Sequence, residues 1–222
     1  MSDEAPRSGT ASSGWLGGAA ARDGWGRRQG IHSPEDRRFV GLAAAALDDY
    51  LARNSIDATL VGDVRFDERL PDYSADGIAE QVRVLNRHLL ALDTINPLGL
   101  SRMNAVDLRI LRRQLTGRVY QLRTLGEPTW NPMWWTPGLA LEPLVARSAV
   151  AGILARLRGM PEHVESARHT LGTMPAPHLE RALRDLSAVI DWLPGAIAAT
   201  AAEHPRAATD LHDALEPALV AL

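Results

Sequence analysis

Residues 74–93 read SADGIAEQVRVLNRHLLALD, and their periodicity decides the fold. Ile78, Val82, Leu85, Leu89 and Leu92 recur at alternating steps of four and three, which gathers them on one continuous apolar face of a helix. Ser74 supplies the N-cap hydroxyl. Downstream, Asn104 is expected to open a second such helix, with Leu108, Leu111, Leu115, Val119, Leu122 and Leu125 on its stripe and Gly126 as its stop. Two neighbouring one-faced helices bury their stripes best against each other, so an antiparallel pair is expected. Upstream, Ser33-Pro34-Glu35-Asp36 combines a capping hydroxyl, a proline at the first helical position and acid in the first turn, predicting a helix over 34–53.

The rest of the chain repeats the pattern. Helices are predicted over about 139–158, from Pro161, from about 177 and from about 206 toward the end. The helix from 177 carries Leu179, Leu183, Leu186, Ile190, Leu193 and Ile197 on one face, and Pro194 should kink it. No alternating strand pattern or fixed-period repeat competes. The fold class is therefore all-α, a helical bundle or a set of packed helical hairpins with about six to seven helices. This helical domain is assigned to residues 32–222. Residues 1–31, rich in Gly, Ala and Ser, are expected to be a disordered leader, with Trp15 and Trp25 as stray aromatics in it.

Composition removes several functions. The 222 residues and 45% hydrophobic content suffice for a substantial core. There is no cysteine, so disulfides and thiolate chemistry are excluded. All 24 basic residues are arginines, scattered along a chain of net charge −3, which argues against a nucleic-acid surface. No apolar run approaches the ~20 residues needed to span a bilayer. DRRFVGLAAAAL at 36–47 has the order of a twin-arginine export signal, but the run stops at Asp48 and Asp49 without a small-residue cleavage site, so a cytoplasmic location is expected.

Catalytic motifs are missing in the same way. The sequence has no His-Glu-x-x-His, no Gly-x-Ser-x-Gly elbow and no phosphate loop. Its seven histidines never fall three or four residues apart, and Asp48, Asp49 and Asp107 read as solvated helix surface rather than a magnesium site. Neither catalytic nor metal-ligating residues are assigned, and no cofactor is expected on this chain. What does stand out is PTWNPMWWTPG at 128–138, where three of the six tryptophans meet three prolines. Proline fixes φ and indoles offer wide apolar faces with one N–H each, so Trp130, Asn131, Trp134 and Trp135 are the candidate ligand or partner contacts. A plug between helical hairpins is the competing use of the same loop.

Several stretches, in order, resemble the amino-terminal half of the domain of unknown function 885 family, whose members resemble gluzincin-type zinc metallopeptidases. These are NSIDATLVGDVRFDERLPDYSADGI at 54–78, with its Ala-Thr-x-x-Gly turn and Asp-x-Ser helix start, DLRILRRQL at 107–115, the Trp-Asn-Pro at 130–132, and ARLRGMPEHVESARHTLGTMPAPHLERAL at 155–183 with Arg-Leu-x-x-Met-Pro. The likeness spans roughly 35–222. In the family the zinc-binding helix lies in a carboxyl-terminal half that this sequence lacks, so the resemblance implies no catalytic residue here and zinc only if a separate catalytic half exists.

Two functions follow. The first is an amino-terminal helical domain of a metallopeptidase-like protein, inactive alone, acting as a binding subunit or as half of a split hydrolase. It predicts a protein partner at the tryptophan loop and at the apolar carboxyl-terminal helix, residues 206–222, with an exposed apolar patch there. The second is a small all-α enzyme or ligand-binding protein with a tryptophan-lined pocket between helices.

Overall fold

The structure, a computed structural model, describes residues 33–222, and the expected leader at 1–31 lies outside the described residues. The described residues form an all-α bundle without strands. Helix α1 (Pro34–Arg53) starts as its cap predicts, since the Ser33 hydroxyl accepts the Asp36 N–H at 2.9 Å and donates to the Gly99 carbonyl at 2.7 Å. Helix α2 (Ser55–Leu60) is a short helix at a place where no helix is predicted from the sequence. Helix α3 (Ala75–Asp93) follows, with Ser74 accepting from the Gly77 N–H.

Helix α4 (Arg102–Val119) is capped by Ser101 and so starts two residues before the expected opening at Asn104. Asn104 is instead a buried first-turn residue whose side-chain amide donates to Asp36 Oδ1 at 2.6 Å. Asp36 also accepts the Ser101 N–H at 2.9 Å, so one carboxylate ties the start of α1 to the start of α4. Past Val119 the backbone continues as a π turn, Tyr120–Leu125, and stops at Gly126, which holds φ 59° as a left-handed cap. A π turn uses more residues per revolution than an α turn, so the apolar stripe loses register there. Leu122 stays buried while Leu125, expected on the stripe, is exposed.

The first core is built from Phe39, Ala43 and Ala46 of α1, Leu85 and Leu92 of α3, and Leu108, Leu111 and Leu115 of α4. The second core belongs to α5 (Pro137–Ala146), α6 (Val150–Thr170), α7 (Ala176–Glu203) and α8 (Ala208–Ala221), with Leu141, Leu144, Ile153, Leu157, Met160, Leu193, Ile197 and Leu211 at its centre. Here the expected boundary is wrong. The chain does not break at Pro161, which lies inside α6, but at Arg147–Ala149, where Ser148 takes φ 53°. Interior proline costs about 3 kcal/mol, but Met160 beside it is fully buried and His163 nearly so, and their burial holds the helix together. At the true break, Arg147 pairs with the largely buried Asp67 at 2.5 Å and the Ser148 hydroxyl reaches Glu203 at 3.1 Å. Likewise α7 runs unbroken through Pro194.

Helix α8 does not present the expected apolar patch. Leu211, Ala214 and Ala218 are buried in the second core, Leu215, Leu219 and Leu222 pack against it, and Val220 is the large apolar residue left exposed. Uncovered apolar surface lies instead on α4, at Met103, Val106 and Ile110, and on α7. Its stripe is fully buried at Leu193 and Ile197, yet Leu179, Leu183 and Ile190 are exposed.

Two further features join the halves. Tyr73, Trp135 and Ala167 form a small apolar cluster between the cores. Beside it Arg156 of α6, fully buried, donates to the carbonyls of Arg69 (3.0 Å), Ser55 (3.3 Å), Phe66 (3.4 Å) and Ala140 and to the Thr59 hydroxyl at 2.5 Å. Arg156, Leu157 and Met160 are the Arg-Leu-x-x-Met of the 155–183 stretch, and Thr59 belongs to the Ala-Thr-x-x-Gly turn. Those motifs therefore meet each other in the interior.

Candidate functional site

The segment 127–136 is two short 3₁₀ turns, Glu127–Thr129 and Pro132–Trp135. Each opens with proline near its first position, and Asn131 caps the second by accepting the Met133 N–H at 3.1 Å. All three indole N–H groups are used within the segment or next to it. Trp130 donates to the Leu125 carbonyl at 2.8 Å, Trp134 to Glu127 Oε2 at 3.1 Å and Trp135 to the Pro128 carbonyl at 3.0 Å. A buried indole with a satisfied N–H is a stable packing unit.

The three rings point to different neighbours. Trp135, 6% exposed, sits against Tyr73 (5.5 Å between ring centroids) and His163 (5.1 Å). Half-buried Trp134 meets Tyr73 edge-on at 5.1 Å, so the adjacent tryptophans grip one tyrosine from two sides. Trp130 is turned toward His178 of α7 at 5.3 Å. Asn131 does not join the rings; its side chain is spent on the cap. The loop is thus a joint between the cores, with Trp134 on its outer side.

Against Trp134 lies a residue the sequence reading did not single out. The Arg118 guanidinium is 4.2 Å from the Trp134 ring centroid and 5.8 Å from that of Tyr50, within cation–π range. One of its terminal nitrogens donates to Asn54 Oδ1 at 2.6 Å, and Nε is buried without a partner among the described residues. Burial raises the Tyr73 phenol to about 12 even though the Arg118 charge pulls the other way. Burial also holds the Tyr50 phenol well above its ordinary value, and its hydroxyl donates to Asp57 Oδ2 at 2.5 Å. The outer side of this cluster faces a hollow of about 420 Å³ lined by α4, the π turn and Glu127. Nothing in the sequence marked Arg118 among so many arginines; only the fold sets it on an aromatic face.

A second hollow, of about 440 Å³, lies over Pro71, Asp72 and the middle of α6, with His163 on its floor. Burial lowers the His163 imidazole to about 4, against a hydrogen bond with the Pro71 backbone and the nearby Asp72 charge, so the ring is neutral near pH 7. Among the described residues no group of three or more His, Asp and Glu converges as a metal site. Asp48 and Asp49 diverge as adjacent helical residues must: Asp48 pairs with Arg65 at 2.6 Å, and Asp49 with His88 at 2.7 Å and Arg53 at 3.1 Å. Burial pushes the Asp49 carboxyl up, but the bonds from His88 and Arg53 outweigh it and hold the group below its ordinary value. No described helix is long and apolar enough to cross a membrane.

Comparison with known proteins agrees with this architecture. Residues 56–222 match the family described as "Bacterial protein of unknown function (DUF885)". The fold is similar to a solved structure from Shewanella oneidensis, a candidate lipoprotein of unknown function, with a TM-score of 0.72 at 16% identity over 82% of this chain. The chain spans 35% of the length of that protein. No curated protein matches it.

Proposed function

We propose that this chain, which belongs to the DUF885 family, is a non-catalytic helical binding domain of a metallopeptidase-like protein, acting as a subunit or as the amino-terminal part of a divided hydrolase. The observation that carries the reading is the uncovered half of the α7 stripe. Leu179, Leu183 and Ile190 are 36%, 54% and 38% exposed, while Leu193 and Ile197 on the same stripe are at 0%. One helix face that is core at one end and bare at the other is a face built to be covered. The occupant is the catalytic polypeptide of the pair. The similar solved structure is consistent with such an occupant, since the likeness takes up 35% of that longer chain. The cytoplasm is the compartment this reading assumes, and zinc would be held by the partner polypeptide.

The test mixes the purified chain with the carboxyl-terminal portion of a longer DUF885 member, expressed separately, and measures mass by light scattering after size exclusion. A one-to-one complex, lost in Leu183→Glu, is expected, with no peptide hydrolysis by this chain alone. Absence of a complex, or one indifferent to Leu183→Glu, would refute the docking role.

A further inference from the structure

The hollow beside Arg118 carries two opposite charges held apart by a tryptophan. Arg118 and Glu127 both line it. Arg118 is engaged by Asn54 and aromatic rings, and Glu127 by the Trp134 N–H, so neither has an ion-pair partner among the described residues. Both side chains are half-buried at the wall of the hollow, so each keeps hydrogen-bonding capacity turned toward it. The two do not pair directly, and the Trp134 indole stands between them: the guanidinium lies on its face at 4.2 Å and the carboxylate accepts from its edge at 3.1 Å.

The remaining wall suits a small ligand. Gln114 and Gln121 bring amide groups, while Leu115 and Leu125 add an apolar side. The π turn creates this shape, since its wider winding swings Leu125 out of the core stripe and onto the hollow. Such turns are often found where a helix has been adapted to a site. The volume of about 420 Å³ falls within the range of small-molecule pockets.

We propose that this hollow binds a small zwitterion with a carboxylate and an ammonium on one short backbone, the carboxylate on Arg118 and the ammonium on Glu127. A guanidinium already resting on an aromatic face is oriented for a charge-assisted bond to a carboxylate. Glu127 keeps lone pairs beyond the one used by Trp134, and an ammonium has three donors to meet them. The inference does not rest on the docking of α7, whose exposed Leu179, Leu183 and Ile190 do not line the hollow.

The test follows the Trp134 indole N–H, which sits between the two charges, by ¹H–¹⁵N NMR of the full chain, assigned with Trp134→Phe. Leucine, N-acetyl-leucine and leucine amide are titrated in turn. Leucine should shift the resonance saturably, and removal of either charge should weaken binding by about tenfold or more, the loss of one charge-assisted contact. Glu127→Gln should bring leucine down to the level of N-acetyl-leucine. Tyr120→Ala, a rim residue that is 52% exposed, should keep the fold and weaken leucine severalfold. No saturable shift with leucine at about 20 mM, a concentration that would reveal even millimolar affinity, would overturn the proposal. So would equal binding of all three compounds, or leucine binding unchanged in Glu127→Gln.

Discussion

Replacing Arg156 is the sharpest test of how the two cores are held together. The guanidinium is fully buried and makes its closest bonds to Arg69 O, Ala140 O and Thr59 Oγ1, with longer ones to Ser55 O and Phe66 O. A bond from a charged donor contributes about 1.5–3 kcal/mol net, but these bonds share one desolvated charge and do not add up one by one. That desolvation is visible in the guanidinium itself, which burial lowers to about 10. The acceptors do not all become orphans: Phe66 O still receives the Arg69 N–H and Arg69 O the Ser55 hydroxyl. Arg156→Met, which keeps most of the volume, should therefore cost about 2–3 kcal/mol. Arg156→Ala adds a cavity and should cost about 4 kcal/mol. Urea unfolding followed by circular dichroism, with the m-value checked for constancy, measures both. Were Arg156→Met as stable as the parent, the bonds would merely offset the buried charge, and the junction would rest on its other contacts, Tyr73 with Trp135 and Arg147 with Asp67.

Other expectations concern separate links in the structure. His163 has its folded pKa lowered to about 4, below the ~6.5 of an unfolded histidine, so the unfolded chain takes the proton first. Its contribution is complete above pH 6.5 and fades as pH falls toward 4, by about 3 kcal/mol; His163→Gln should flatten a stability profile over that window. Asp49, whose pKa is also lowered, adds a loss only below the ordinary carboxylate range, and His88→Gln should remove part of it. Gly77→Ala would gain about 1 kcal/mol from helix propensity alone, yet a Cβ there would lie 2.4 Å from Asp72 Cγ and 2.6 Å from Asp72 O. Net destabilisation of about 1–2 kcal/mol is expected in thermal melts. Trp135→Ala should cost about 3–5 kcal/mol in the same assay, because its ring fills the joint between the cores.

What the sequence determined by itself is the local grammar. Ser33, Ser74 and Gly126 act where their chemistry predicts, because caps and left-handed stops depend on a few neighbouring atoms. The apolar stripes of α3 and α4 define the first core for the same reason: helical periodicity is a property of consecutive residues. Tertiary structure decided what distant residues settle among themselves. Pro161 stays helical because burial on both sides outweighs one lost bond, and the break moves to Ser148, where Arg147 finds Asp67. Half of the α7 stripe is core and half is bare, although the leucine spacing is continuous along it. Arg118 looks like any other arginine in the sequence, and Arg156 stands out there only as part of a resemblance; the fold turns Arg118 into a guanidinium on an indole and Arg156 into a buried junction. Charge burial depends on how much chain from elsewhere closes over a side chain, and that is fixed by long-range packing rather than by sequence neighbours.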